Sequence, residues 1–123
     1  MGIINTDKAP AAIGPYSQAV TVNGMLYTSG QIPIDPVTGN LVEGDISVQA
    51  EQVMKNLMAI VEAAGADAKR TIKTLCFLKS MDDFAAFNEV YAKYFPGNPA
   101  RSCVEVSALP KGALCEVEII VAM

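Results

Sequence analysis

The segment Pro99-Ala100-Arg101-Ser102-Cys103-Val104-Glu105-Val106 places one of the chain's two arginines at the mouth of an apolar, strand-like run. A guanidinium stays charged in proteins and presents a planar fork of donors that matches a carboxylate bidentately. Setting that charge at the edge of a core strand costs free energy unless an anion meets it. No fixed partner stands beside it in sequence, so a ligand anion is one candidate partner. Strand residues alternate between faces, so Arg101, Cys103 and Glu105 share one face. Glu116 and Glu118 alternate in the same way with Cys115, Val117, Ile119 and Val121. These four join Val104 and Val106 in an apolar face expected to pack under the helices, which leaves the charged face on the side away from them. We expect Ser102–Ser107 and Ala113–Val121 to form a hairpin around Ala108-Leu109-Pro110-Lys111-Gly112, with Ser107 opposite Gly112. Cys103 then falls opposite Glu116 and Arg101 opposite Glu118, with Cβ atoms about 5 Å apart. A cation, a thiol and carboxylates would share one patch, and in an oligomer that patch becomes a pocket between subunits. The same pattern also fits an ordinary cross-strand ion pair on a solvated sheet face.

Composition narrows the chemistry. The 123 residues include no histidine, which removes Ser-His-Asp and Cys-His nucleophiles and the usual ligands of catalytic zinc. Cys76, Cys103 and Cys115 are too few and too widely spaced for a disulfide framework or a zinc cluster. We read Cys76 and Cys115 as small buried thiols. Nine basic residues form no run and the net charge is −4, so the basic footprint of a nucleic-acid binder is missing. No apolar stretch approaches the roughly 20 residues of a membrane span. The first residues do not read as a signal peptide, and we expect a cytoplasmic protein. Apolar residues make up 51% and charged ones only 18%, which excludes disorder and points to an oligomer that shares apolar surface.

Local signals predict the elements that must position these groups. Asn23-Gly24 between Ser17–Val22 and Met25–Ser29 is a strong hairpin signal, since both positions tolerate positive φ. Ser29-Gly30-Gln31 then leaves the strand, and Asp35–Asn40 is a polar turn. Val53, Met54, Leu57, Ile60, Val61 and Ala64 recur at helical spacing over Ser47–Ala64, with Asp45 or Ser47 as cap and Gly65 as stop. Thr71–Leu78 reads as a strand. Ser80-Met81-Asp82-Asp83 resembles a capping box for a second helix over Asp83–Phe95, with Phe84, Phe87, Val90, Tyr91 and Tyr94 as its apolar stripe. The order ββ-α-β-α-ββ predicts one α+β domain over residues 1–123, with both helices on one face of a mixed sheet.

Several short motifs recur in a familiar order. They are Ala11-Ala12-Ile13-Gly14-Pro15-Tyr16-Ser17-Gln18, Thr28-Ser29-Gly30-Gln31-Ile32-Pro33, Met81–Tyr91, the arginine segment, and Leu109-Pro110-Lys111-Gly112-Ala113 followed by Glu116. Together they resemble the RidA/YjgF family of reactive intermediate deaminases, nearly end to end. The resemblance implies a chorismate-mutase-like fold and a homotrimer with a barrel-like core of three sheets and clefts between subunits. It implies hydrolysis of 2-enamine/2-imine acids, such as 2-iminobutanoate and 2-aminoacrylate, to 2-keto acids and ammonia, with no metal or organic cofactor. It assigns Arg101 to the substrate carboxylate and Glu116 to the attacking water. Tyr16, Ser29, Gly30, Asn88 and Cys103 join Arg101 as substrate-binding residues. Between Phe95 and Pro99 this chain has only Pro96-Gly97-Asn98, a shorter loop than in better-known members, and Cys115 stands where an aliphatic residue is common. The alternative is a non-catalytic trimer that binds small carboxylates. A ribonuclease is disfavoured by the acidic charge and the absence of histidine.

Overall fold

The computed structural model describes all 123 residues. Six strands form one sheet: β1 (Gly2–Ile4), β2 (Ala19–Val22), β3 (Met25–Thr28), β4 (Thr71–Leu78), β5 (Ala100–Glu105) and β6 (Cys115–Ala122). Helices α1 (Ile46–Ala63) and α2 (Phe84–Tyr94) cover one face. The spatial order is β1-β2-β3-β6-β4-β5. Every pairing is antiparallel except β4 with β5.

The first hairpin forms as expected. Asn23 and Gly24 both adopt positive φ, 49° and 73°, which suits the right-handed twist of the flanking strands. Strand β1, which the sequence reading lacks, adds to its edge. Asp45 caps α1 by accepting from Val48 N at 3.0 Å. Ala64 caps the C-terminus of α1, and Gly65 follows with φ 69°. Ser80 caps a single 3-10 turn over Met81–Asp83 rather than α2 itself, since its Oγ accepts from Asp82 N.

The expected hairpin of the last two strands does not form. The chain leaves β4, runs back along α2 and re-enters the sheet as β5, parallel to β4. A helix between two strands supports that crossover. Strand β6 instead fills the slot between β3 and β4. Its alternating Cys115, Val117, Ile119 and Val121 lie fully beneath the helices, as a central strand requires. Strand β5 carries exposed Ser102 and Glu105 and takes the sheet edge. The reading that Arg101 opposes Glu118, and Cys103 opposes Glu116, is therefore incorrect. The register sets Thr74 beside Arg101, Cys76 beside Cys103, Phe77 beside Glu116 and Leu75 beside Glu118.

That register also reverses a face assignment. Thr74, Cys76 and Leu78 point to the helix side and are buried, so Arg101 and Cys103 point there too. Val104, expected under the helices, faces the opposite side and is 47% exposed. The open face carries Val20, Tyr27, Leu75, Phe77 and Ile120 with no layer above them.

Candidate active site

Two clusters hold the residues singled out in the sequence. The first is built on β5 and α2. Phe84, Asn88 and Tyr91 stand at i, i+4 and i+7, one stripe of a helix, and the stripe faces Arg101. Arg101 Nη1 donates to Asn88 Oδ1 at 2.7 Å. The guanidinium carbon lies 4.7 Å from the Tyr91 ring centroid and 5.4 Å from that of Phe84. Tyr91 is anchored below through its hydroxyl, 2.7 Å from Thr74 Oγ1. No carboxylate of the chain pairs with Arg101; the one ion pair joins Lys93 of α2 to Glu51 of α1. Cys103 lies half-buried two residues on, beside Cys76. Burial pushes the Cys103 thiol up, partly offset by Arg101. Burial, reinforced by Cys103, pushes Cys76 up to about 12.

The second cluster sits on the open side, at the β6 end. Gln31 and Val117 exchange backbone hydrogen bonds at 2.9 and 3.1 Å, which draws the segment after β3 against β6. Asn56 of α1 donates to the carbonyls of Ile32 and Ile34 and fixes that segment from the other side. Gly30 is thereby laid under the Glu116 side chain, and a Cβ at position 30 would collide with Oε2. Burial first, and the neighbouring Glu118 second, hold the Glu116 carboxyl above its usual value of 4.5. Ser29 Oγ donates to the Ser17 carbonyl, tying this segment to the Gly14-Pro15-Tyr16 turn. Gln18 clamps the preceding loop, with its Nε2 on the carbonyls of Thr6, Ala9 and Pro10. Tyr16, 52% exposed, and Gly30 both line a cavity of about 580 Å³ walled by Ile13, Ile32 and Ile34.

The structure thus brings Arg101, Asn88 and Cys103 together, and separately Glu116, Gly30, Ser29 and Tyr16. It does not join the two groups within one chain. They lie on opposite faces of the sheet, and β4 stands between β5 and β6 at roughly 4.8 Å per strand. The residues around Arg101 that sequence reasoning assigned to the core, Phe84 and Tyr91, carry a signal in hindsight. Their spacing from Asn88 puts all three on one line of α2.

The chain matches the family model described as Endoribonuclease L-PSP over residues 6–123, and it belongs to that family, also called RidA/YjgF. It is similar to the 2-iminobutanoate/2-iminopropanoate deaminase of Mus musculus, with 50% identity over 96% of this chain and 88% of that protein. A RutC family protein of Pyrococcus horikoshii is 54% identical over 96% of this chain and 94% of its own length. Among solved structures, E. coli TdcF with bound serine superposes with a TM-score of 0.95 at 43% identity, covering 100% of this chain and 99% of that one.

Proposed function

We propose that this chain hydrolyses 2-imino acids and their enamine tautomers to 2-keto acids and ammonia. The observation that carries the reading is Arg101. Its guanidinium is held in place by neutral groups alone and lacks an anion from its own chain. A small carboxylate supplies that anion, and the murine relative named as an imine deaminase supports the substrate class.

The reading needs a second subunit. Glu116 faces the side where Leu75, Phe77 and Ile120 stand uncovered, and β5 is an open sheet edge. A homotrimer that packs these open faces inward brings one chain's Arg101 to the next chain's Glu116 and Gly30. The apolar character of the open face supports such packing.

In that cleft Arg101 holds the substrate carboxylate and fixes the imine carbon. An iminium carbon is already electrophilic, so no covalent nucleophile is needed. Glu116 accepts a proton from water as its oxygen bonds to that carbon. It then returns that proton to nitrogen; as the C–N bond breaks and the C=O forms, Glu116 takes up the hydroxyl proton and passes it to the departing ammonia, so the keto acid and ammonium leave. A carboxyl raised by burial is suited to this exchange. The backbone at Gly30 lets the carboxylate approach closely. Tyr16 walls the cleft.

Threonine dehydratase generates 2-iminobutanoate in place, and its decay to 2-ketobutyrate is followed with and without this protein. We expect Arg101→Ala to lower kcat/KM by a hundredfold or more, since a charge pair lost in a desolvated site costs about 2–5 kcal/mol. Glu116→Gln lowers kcat while the keto acid still binds. An Arg101→Ala protein as active as wild type removes the assignment. The serine in the E. coli TdcF structure favours a second reading, a trimer that binds amino or keto acids without turning imines over. Binding of 2-ketobutyrate with no acceleration of imine decay would select it. The family model's endoribonuclease description finds no support in a chain of net charge −4 without histidine.

A further inference from the structure

The groups beneath Arg101 are arranged more specifically than core packing requires. Tyr91 is 8% exposed, yet its ring face is turned to a cation rather than to another apolar side chain on that side. Phe84 presents a second face to the same guanidinium. Asn88, between them on the stripe, takes one N–H. That is the only hydrogen bond the Arg101 guanidinium donates within the chain, so the rest of its fork is left for a ligand. The Thr74 hydroxyl fixes the far end of the Tyr91 ring. A planar guanidinium stacks on aromatic faces, and a compact ammonium does not match this geometry.

We propose that Tyr91 and Phe84 are positioning residues that set carboxylate affinity by holding the Arg101 fork in its binding orientation. This rests on the function proposed above in one respect only, that the ligand of Arg101 is a carboxylate. A neutral cradle has a physical advantage over a carboxylate partner. It restrains the side chain without neutralising it, so the ordering cost is met before the ligand arrives. A fixed Asp or Glu in the same place would compete with the substrate for the fork.

The test measures binding of 2-ketobutyrate by calorimetry alongside steady-state kinetics. Tyr91→Leu is expected to weaken binding and raise KM by roughly tenfold, the scale of a desolvated cation–π contact, with kcat changed far less. Tyr91→Phe keeps the ring and should bind nearly as wild type does. Arg101→Lys should not restore affinity. If Tyr91→Leu fails to fold, Phe84→Leu at the rim of the same cradle should show a smaller loss in the same direction. Unchanged 2-ketobutyrate affinity in folded Tyr91→Leu, or in Phe84→Leu where that variant stands in for it, overturns the proposal. So does equal damage from Tyr91→Phe and Tyr91→Leu, which would place the effect in the Thr74 hydrogen bond. A wild type that binds the keto acid but does not hydrolyse imines defeats the deaminase reading and leaves this inference to be judged on the binding data alone.

Discussion

At the scale of single residues, the Glu116–Gly30 contact makes the sharpest demand. Gly30→Ala puts a Cβ where Oε2 lies. The carboxylate is the far end of a flexible side chain, so it swings aside at little cost to stability. The placement over the imine carbon proposed for it is lost, and displacements on the ångström scale cost about a hundredfold in rate. We expect the melting temperature to stay close to that of wild type while kcat/KM collapses. Glu116 also ties stability to pH. Its folded-state pKa lies above 4.5, so the folded form holds the proton more tightly than the unfolded form. Its contribution is fully present below 4.5 and is lost as pH rises through the folded value. Glu116→Gln should therefore melt higher than wild type at neutral pH, and the difference should vanish in acid. Thiol reactivity gives a third check. Cys76 and Cys115 are buried with pKa values near 12, while Cys103 is half-buried and lifted less. Iodoacetamide should modify Cys103 first, and mass spectrometry of the native protein reads the order directly.

At the scale of elements, local signals and long-range pairing behave differently. The Asn23-Gly24 hairpin, α1 with its Asp45 cap, and β4 at Thr71–Leu78 are all legible because turn residues, caps and periodicity act within a few positions. Asp45→Ala removes the acceptor for Val48 N and should destabilise by about 1 kcal/mol, seen as a lower urea midpoint. The partner of β5 is not legible in the same way. Ala108–Gly112 looks like a hairpin connection, and Pro110–Gly112 does make a tight 3-10 turn with Lys111 at φ 58°. Which strand flanks β6 depends instead on where α2 returns the chain and on the need to bury Val117 and Ile119 on a central strand. The site follows the same division. Arg101 and Glu116 stand out by residue type, but the hairpin that set Arg101 opposite Glu118 and Cys103 opposite Glu116 fails with the pairing. The Phe84–Asn88–Tyr91 line is visible only once β5 lies beside β4, because two aromatics at helical spacing are otherwise indistinguishable from core.

At the scale of the whole molecule, the open sheet face is the feature that the proposed trimer must explain. Leu75 projects from it, away from the helices. Leu75→Asp should leave the circular dichroism of the fold in place. In sedimentation it should shift the protein from three times the chain mass toward one, with activity falling in step. The separation of Arg101 from Glu116 then has a genetic corollary. Arg101→Ala and Glu116→Gln polypeptides, each severely impaired by itself, should complement one another when co-refolded. Every mixed ring contains a single junction at which an intact arginine meets an intact glutamate. An equal blend should recover roughly a quarter of native turnover, by random assortment around a closed threefold ring.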